Sequence, residues 1–228
     1  MSAAITHLAE VGSTNDWLLA RADTLPDGSW VVADRQTAGR GRRGRVWSDG
    51  AGNLMASVLV RSDGPVQQLS FVAALALIGA LDSPSLTLKW PNDVLLDGAK
   101  LAGILLERQG DALVIGFGVN LAGHPLDTER AATSFAAAGL PAPAPLDLLQ
   151  RLAASLADWR AIWSAQGFAP IRTAWLGRAA VTGARMTSRL GTEAIEGVFE
   201  GLAEDGALLL RLDDGQLRAI HAGEVFSL

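Results

Sequence analysis

Residues 38–47 read AGRGRRGRVW, and their chemistry is the first question the chain poses. Arg40, Arg42, Arg43 and Arg45 crowd into one short loop with no acid between them, in a chain whose formal charge is -5. Guanidinium forks interleaved with glycines offer paired N–H donors and backbone N–H groups to a carboxylate or a phosphate. Lysine usage gives a second signal. Of the 19 basic residues, 17 are arginine and only two are lysine, Lys89 and Lys100, both inside LKWPNDVLLDGAKLAG. A compact ammonium fits among crowded oxygens where a planar guanidinium cannot. In that stretch Pro91 forces an extended or turn geometry, Asn92 and Asp93 follow it at the bend, and Lys100 starts a new strand after the Asp97-Gly98 turn. In VIGFGVNL (114–121) Gly116 and Gly118 fall on one face of a strand, where the missing side chains admit a ligand or another backbone. That run ends in Asn-Leu-Ala-Gly instead of opening a helix, so it does not read as a dinucleotide fingerprint.

Two ligand classes suit the basic loop. Arginine-glycine tracts that bind RNA are long, disordered and poor in aliphatics. Here the tract is short, lies between two strand patterns and belongs to an acidic chain, so the reading favours a small-molecule anion.

The elements that must position these groups follow from period and punctuation. Ser13 reads as the N-cap of a helix, with Asp16 at its third position. SWVVADRQ (29–36), NLMASVLV (53–60), TLKW, DVLLDG, KLAGILLERQ and ALVIGFGVNL read as strands, and 65–81 as a helix. PAPAP stiffens a connector into helices over 146–165 and 170–177, with Trp159, Trp163 and Trp175 as core. From about residue 179, short strands with turns at Gly191, Asp205-Gly206 and Asp214-Gly215 predict a small SH3-like barrel. The expected class is α+β: a mixed sheet with packed helices over 1–178, followed by a small β unit over 179–228.

Composition narrows the function. With 228 residues and 49% hydrophobic content the chain can bury a real core, and net charge -5 argues against broad attraction to nucleic acid or anionic lipid. It has no cysteine, which removes disulfides, thiolate metal sites and thiol nucleophiles. The first ten residues do not resemble a signal peptide, and the longest apolar run, at 69–81, is too short to span a bilayer. The expected location is the cytoplasm.

The motifs taken together resemble the biotin protein ligases. S-T-N at 13–15, Q-T-A-G-R-G-R-R-G-R-x-W at 36–47, K-W-P-N-D at 89–93, K-L-A-G-I-L at 100–105 and I-G-x-G-x-N at 115–120 occur in that family's order. The resemblance implies ATP-dependent formation of biotinyl-5′-adenylate and transfer of biotin to one lysine of a biotin carboxyl carrier protein, with Mg²⁺. It assigns Ser13, Thr14, Asn15 and Gln36 to the biotin ring, and Gly39, Arg40 and Arg42 to a loop closing over biotin and the adenylate. Lys100 would meet the carboxylate and α-phosphate, and Gly116 and Gly118 would wall the biotin pocket. Arg43, Arg45, Trp47, Lys89, Asn92 and Asn120 would serve the nucleotide, with Trp47 on the adenine. Asp93 would orient Lys100 or the acceptor amine, and Lys100, Arg40 and Asp93 are the expected catalytic group. The resemblance does not fix the metal ligands. Because the first motif begins at residue 13, a ligase without a repressor domain is expected, with a homodimer open and nucleic acid and membrane not expected as partners. His7, His124 and His221 match no family site. The enzyme rivals are the lipoate ligases, which lack the GRGRRGR loop, and the octanoyltransferases, whose cysteine nucleophile this chain lacks. An RNA-binding module is the rival from another class.

Overall fold

The computed structural model describes residues 4–47, 50–62, 64–126, 128, 130–180, 182–190 and 193–227. In chain order the first unit contains β1 (Ile5–Val11), α1 (Thr14–Leu19), β2 (Trp30–Gln36), β3 (Leu54–Val60), α2 (Leu69–Leu81), β4 (Leu86–Lys89), β5 (Asp93–Leu96), β6 (Ala99–Gln109) and β7 (Ala112–Val119). Two helices follow, α3 (Pro145–Gln166) and α4 (Phe168–Leu176), and then β8 (Arg185–Leu190), β9 (Glu193–Leu202), β10 (Leu208–Arg211), β11 (Leu217–Ile220) and β12 (Glu224–Ser227).

The first seven strands form one sheet in the order β1-β2-β3-β7-β6-β5-β4, with β1 parallel to β2 and every other pair antiparallel. Alternation sorts the strands onto two faces. Trp30, Val32, Ala56, Val58, Ile115 and Phe117 pack with α2 and α3, while Val31, Leu59 and Val114 pack with Leu18 of α1. NLMASVLV, which reads as an alternating strand, is buried throughout β3 because it sits centrally and helices cover both faces. The apolar run at 69–81 is buried nearly all round, as a helix clamped between sheet, α3 and α4 must be. The helix itself starts at Leu69, after a 3₁₀ turn over Val66–Gln68, rather than at 65. The Asp97-Gly98 turn has both φ values positive (49° and 82°), the hairpin geometry its sequence predicts.

One element has no sequence pattern and one expectation needs correction. β1 is ITHLAEV, whose apolar residues recur every third position, and pairing to β2 holds it at the sheet edge. Trp175 is core, whereas Trp159 and Trp163 are only partly buried against it. The last five strands make an antiparallel sheet in the order β11-β10-β9-β8-β12, with turns at Asp205-Gly206 and Asp214-Gly215 as predicted. The turn expected at Gly191 lies outside the described residues.

The end of β4 is tied to the segment that leads into the second sheet, and Trp90 just beyond it to the β9–β10 turn. The Leu88 N–H donates to the Arg178 carbonyl (2.7 Å), the Ala180 N–H donates back to Leu88 (2.9 Å), and the Trp90 indole N–H donates to the Gly206 carbonyl (3.1 Å). Lys89 is half-buried at this seam, in an apolar recess shared with Trp175, Met186, Phe199 and Val225. Burial, with Arg130 and Lys100 nearby and Asp93 opposing, pulls its ammonium down to about 8. The folded chain therefore sheds this proton more readily than the unfolded one, whose lysine titrates near ~10.4. The charge costs stability below pH 8, and the cost fades as pH climbs from 8 to the unfolded value. Lys89→Met should thus raise the melting temperature at pH 7, with a gain that shrinks towards pH 10. A gain independent of pH would mean that packing alone is responsible.

Candidate active site

The site begins with the cap of α1. The Ser13 hydroxyl accepts from the Asp16 N–H (3.4 Å), starting the helix and laying Thr14 and Asn15 against β3 and β7. The Thr14 N–H and hydroxyl both donate to Gln36 Oε1 (2.8 and 3.0 Å), and Ser57 on β3 lies within hydrogen-bond distance of both Thr14 Oγ1 (2.7 Å) and Asn15 Oδ1 (2.6 Å). These five residues are at most 8% exposed, so the chain has built a polar floor inside a hydrophobic sheet. Such a floor is stable only when its groups are mutually bonded or ligand-bonded. Glycine makes the room: a Cβ at Gly116 would stand 2.5 Å from Asn15 Oδ1. Gly118 does the same for Trp47, whose ring would come within 2.3 Å of a Cβ there. Gly103, opposite Gly118 in the β6–β7 register, completes this thin patch.

The arginine loop folds as a small hairpin over the cavity. Arg40 pairs with Val46, the Gly41 N–H donates to the Arg45 carbonyl (2.7 Å) and the Trp47 N–H to the Gly39 carbonyl (2.9 Å). Arg43 takes a left-handed φ of 60° at its tip and is exposed. Arg40 is gripped by two acids: its fork donates to both Asp16 oxygens (2.6 and 2.5 Å) and to both Glu107 oxygens (3.0 and 3.2 Å). The bond to Asp16, helped by Glu107, raises its pKa further still. Arg42 donates to Asn92 Oδ1 (3.3 Å); burial lowers its pKa and Asp93 opposes that shift. The Asn92 amide donates in turn to the Ile104 carbonyl (2.6 Å), tying loop, bend and β6 together.

At the far end stands Lys100. Its ammonium lies 2.6 Å from Asp93 Oδ1. A register shift between β5 and β6, which pairs Val94 with Ala102 but Leu95 with Lys100, inserts an extra residue at Leu101. That bulge turns Lys100 onto the face of Gly103, although residues three apart on a regular strand would face opposite ways. The Lys100 backbone also pairs with the segment after β7, donating to the Ala131 carbonyl (2.9 Å) and accepting from the Thr133 N–H (2.9 Å). Asn120 fixes that segment through its amide, which donates to the Thr133 carbonyl (3.0 Å). Arg130 is thereby set at the rim, its guanidinium 4.1 Å from the Phe226 ring and bonded to the Val225 carbonyl (2.5 Å).

One cavity of about 530 Å³ joins these parts. Ser13, Thr14, Asn15, Gln36, Arg40, Arg42, Arg45, Trp47, Asn92, Asp93, Lys100, Gly116, Gly118 and Asn120 all line it. Gly39, Arg43 and Lys89 do not: Gly39 supports Trp47 and Gln36, Arg43 faces solvent, and Lys89 lies behind the wall. The sequence reading missed Ser57, Gly103, Glu107 and Arg130. Gly103 lies within the quoted K-L-A-G motif and could have been found; the other three carry no local signal.

Comparison with known proteins places the chain among its relatives. Residues 8–120 match the Biotin/lipoate A/B protein ligase family, and residues 185–227 match the Biotin protein ligase C terminal domain. The chain is 46% identical over 237 residues to a biotin–[acetyl-CoA-carboxylase] ligase of Paracoccus denitrificans, covering 96% of this chain and 98% of that one. It is 32% identical to the bifunctional ligase/repressor BirA of Bacillus subtilis, covering 89% of this chain and 67% of the relative. The biotin protein ligase of Aquifex aeolicus in complex with biotin and ATP superposes with a TM-score of 0.87 at 28% identity, over 99% of this chain and 98% of that one. By sequence over nearly the whole length of both chains, and by fold, the chain that carries this cavity belongs to the biotin protein ligase family.

Proposed function

We propose that this cavity activates biotin with ATP and hands it to a lysine of a biotin carboxyl carrier protein. The observation that carries this reading is the lining of the cavity: a neutral hydrogen-bonding floor, the arginine loop and the Lys100–Asp93 pair share one space. A ureido ring is neutral and has both donors and an acceptor, which suits the hydroxyls and amides of Ser13, Thr14, Asn15 and Gln36. The valerate carboxylate must then meet the α-phosphate, and two anions resist approach. Cations fixed beforehand offset that repulsion and hold the attack geometry.

In the first step a biotin carboxylate oxygen attacks the α-phosphorus. A C(O)O–P bond forms as the P–O bond to the β-phosphate breaks, and pyrophosphate leaves with the electron pair. Lys100, oriented by Asp93, serves both reacting oxygens, while Arg42, Arg45 and Trp47 enclose the product. In the second step the acceptor amine attacks the acyl carbon, AMP leaves, and the amine gives up one proton. Magnesium would enter on the triphosphate. Among the described residues no three His, Cys, Asp or Glu side chains are grouped to hold a metal, and a phosphate-borne ion needs only one or two carboxylates. Asp93 is the candidate donor. The reading keeps a catalytic unit over 1–178 and a C-terminal unit over 179–228, supported by the separate family matches. It includes no nucleic-acid partner, in keeping with the charge of -5. Among the described residues no helix is long and apolar enough to cross a membrane.

Mixing the protein with biotin and MgATP should release pyrophosphate and yield biotinyl-adenylate detectable by mass spectrometry; neither product appearing would end the proposal. Lys100→Arg should be folded yet slow. A guanidinium would push the reactants apart, and a misplacement of about 1 Å costs on the order of 100-fold in rate. Pyrophosphate release near the parent rate in a variant of unchanged melting temperature would remove Lys100 from the chemistry.

A further inference from the structure

Glu107 lies outside every motif that marks the site, yet two essential parts of the site meet on its carboxylate. Its Oε2 accepts from the Asn15 amide (2.7 Å), and both its oxygens accept from Arg40 Nη2. Six side-chain contacts run without a gap from floor to loop: Gln36 to Thr14, Thr14 to Ser57, Ser57 to Asn15, Asn15 to Glu107, Glu107 to Arg40, and Arg40 to Asp16. The buried end of this chain is the cluster read here as the biotin-ring site, and the exposed end is the loop over the cavity.

The link in the middle can respond to a ligand. Ser57 has one hydroxyl proton and two acceptors within reach, Thr14 Oγ1 at 2.7 Å and Asn15 Oδ1 at 2.6 Å. The Thr14 proton is already directed to Gln36. A ligand group that donates to Thr14 Oγ1 turns the Ser57 proton towards Asn15. That fixes the Asn15 amide with its N–H on Glu107, and each bond in such a chain polarises the next. Glu107 then presents a settled carboxylate to Arg40, whose fork is shared by acids from two different elements, α1 and β6. An isolated exposed ion pair contributes little. This one is charge-assisted, doubly anchored and continuous with a buried polar chain.

Accordingly, we propose that Glu107 is a positioning residue that couples recognition of the biotin ring to closure of the arginine loop, acting through Asn15 on one side and Arg40 on the other. The proposal rests on the ligase reading above. It assigns Arg40 the task of latching the loop, while Arg42 and Arg45 remain to face the ligand.

The test is retention of the adenylate. Parent, Glu107→Gln, Arg40→Gln and the double variant are loaded with biotin and MgATP, separated from free ligand, and followed by mass spectrometry for the adenylate still bound. Glutamine keeps an acceptor for Asn15 and loses one of the two charges that hold Arg40, Asp16 keeping the other. Release from Glu107→Gln should be faster by on the order of 10- to 100-fold, the loss expected for one bond to a charged group. Arg40→Gln, which also gives up Asp16, should release at least as fast, and the double variant should release no faster than Arg40→Gln, because the Glu107 contact is already gone in it. Raising salt from about 50 mM to about 500 mM should speed release from the parent more than from Glu107→Gln, in which only the Asp16 pair is left to screen. Parent-like retention in either single variant overturns the coupling, as do effects that multiply in the double variant or an unaltered salt dependence in Glu107→Gln. If Glu107→Gln does not fold, Arg40→Gln decides. A parent that forms no adenylate overturns the ligase reading as well; a parent that holds it while the variants hold it equally overturns the latch alone.

Discussion

The site depends on a place where the sheet is thin. β6 and β7 pair so that Gly103 faces Gly118 and Leu105 faces Gly116, and the three glycines leave a bare patch on the pocket side of the sheet. Onto that bare patch come Asn15 and the Trp47 ring, both closer to the strand than any Cβ would allow. The other side of the same strand carries Ile115, Phe117 and Val119 into the core under α2 and α3. Glycine weakens a strand, and here the neighbours offset the loss. β7 is flanked on both edges by long antiparallel partners, so the ladder is secured while one face stays open.

Charge is then arranged around that opening by pairing rather than by accumulation. Three of the cations that line the cavity show it: Lys100 has Asp93, Arg42 has Asn92, and Arg40 has Asp16 and Glu107. Pairing keeps the like charges of the loop compatible with folding before any anion arrives. It also sets their directions in advance, so that little reorganisation is needed when charge develops. Lys89 shows the opposite case, a cation at an apolar seam whose burial pulls it down to about 8.

The C-terminal sheet takes part through contacts rather than motifs. Val225 reaches the cavity rim and Phe226 lies between the guanidinium groups of Arg130 and Arg189, so the last strand braces the segment that pairs with Lys100. The Trp90 indole bonded to Gly206 makes the same connection from the KWPND side.

Much of this was legible before folding. The hairpin turn at Asp97-Gly98, the N-cap at Ser13 and the strands from 29 to 121 are written in local chemistry: positive φ, a hydroxyl acceptor, and alternating apolar residues. The concentration of positive charge in the 38–47 loop and the rarity of lysine are plain from residue type alone, and the structure sets the loop and Lys100 around one cavity. What the sequence could not reveal depends on partners far along the chain. The strand β1 has no alternating pattern and exists through its pairing to β2. By residue type Arg40 is one of four clustered arginines, and the family resemblance alone sets it apart; its holders, Asp16 and Glu107, come to it from 24 and 67 residues away on α1 and β6. The face that Lys100 presents was decided by one extra residue in a strand pair, since a bulge inverts every side chain beyond it and leaves composition and periodicity almost unchanged. Residue types thus determined which chemistry the chain can do, and register determined which of those residues meet.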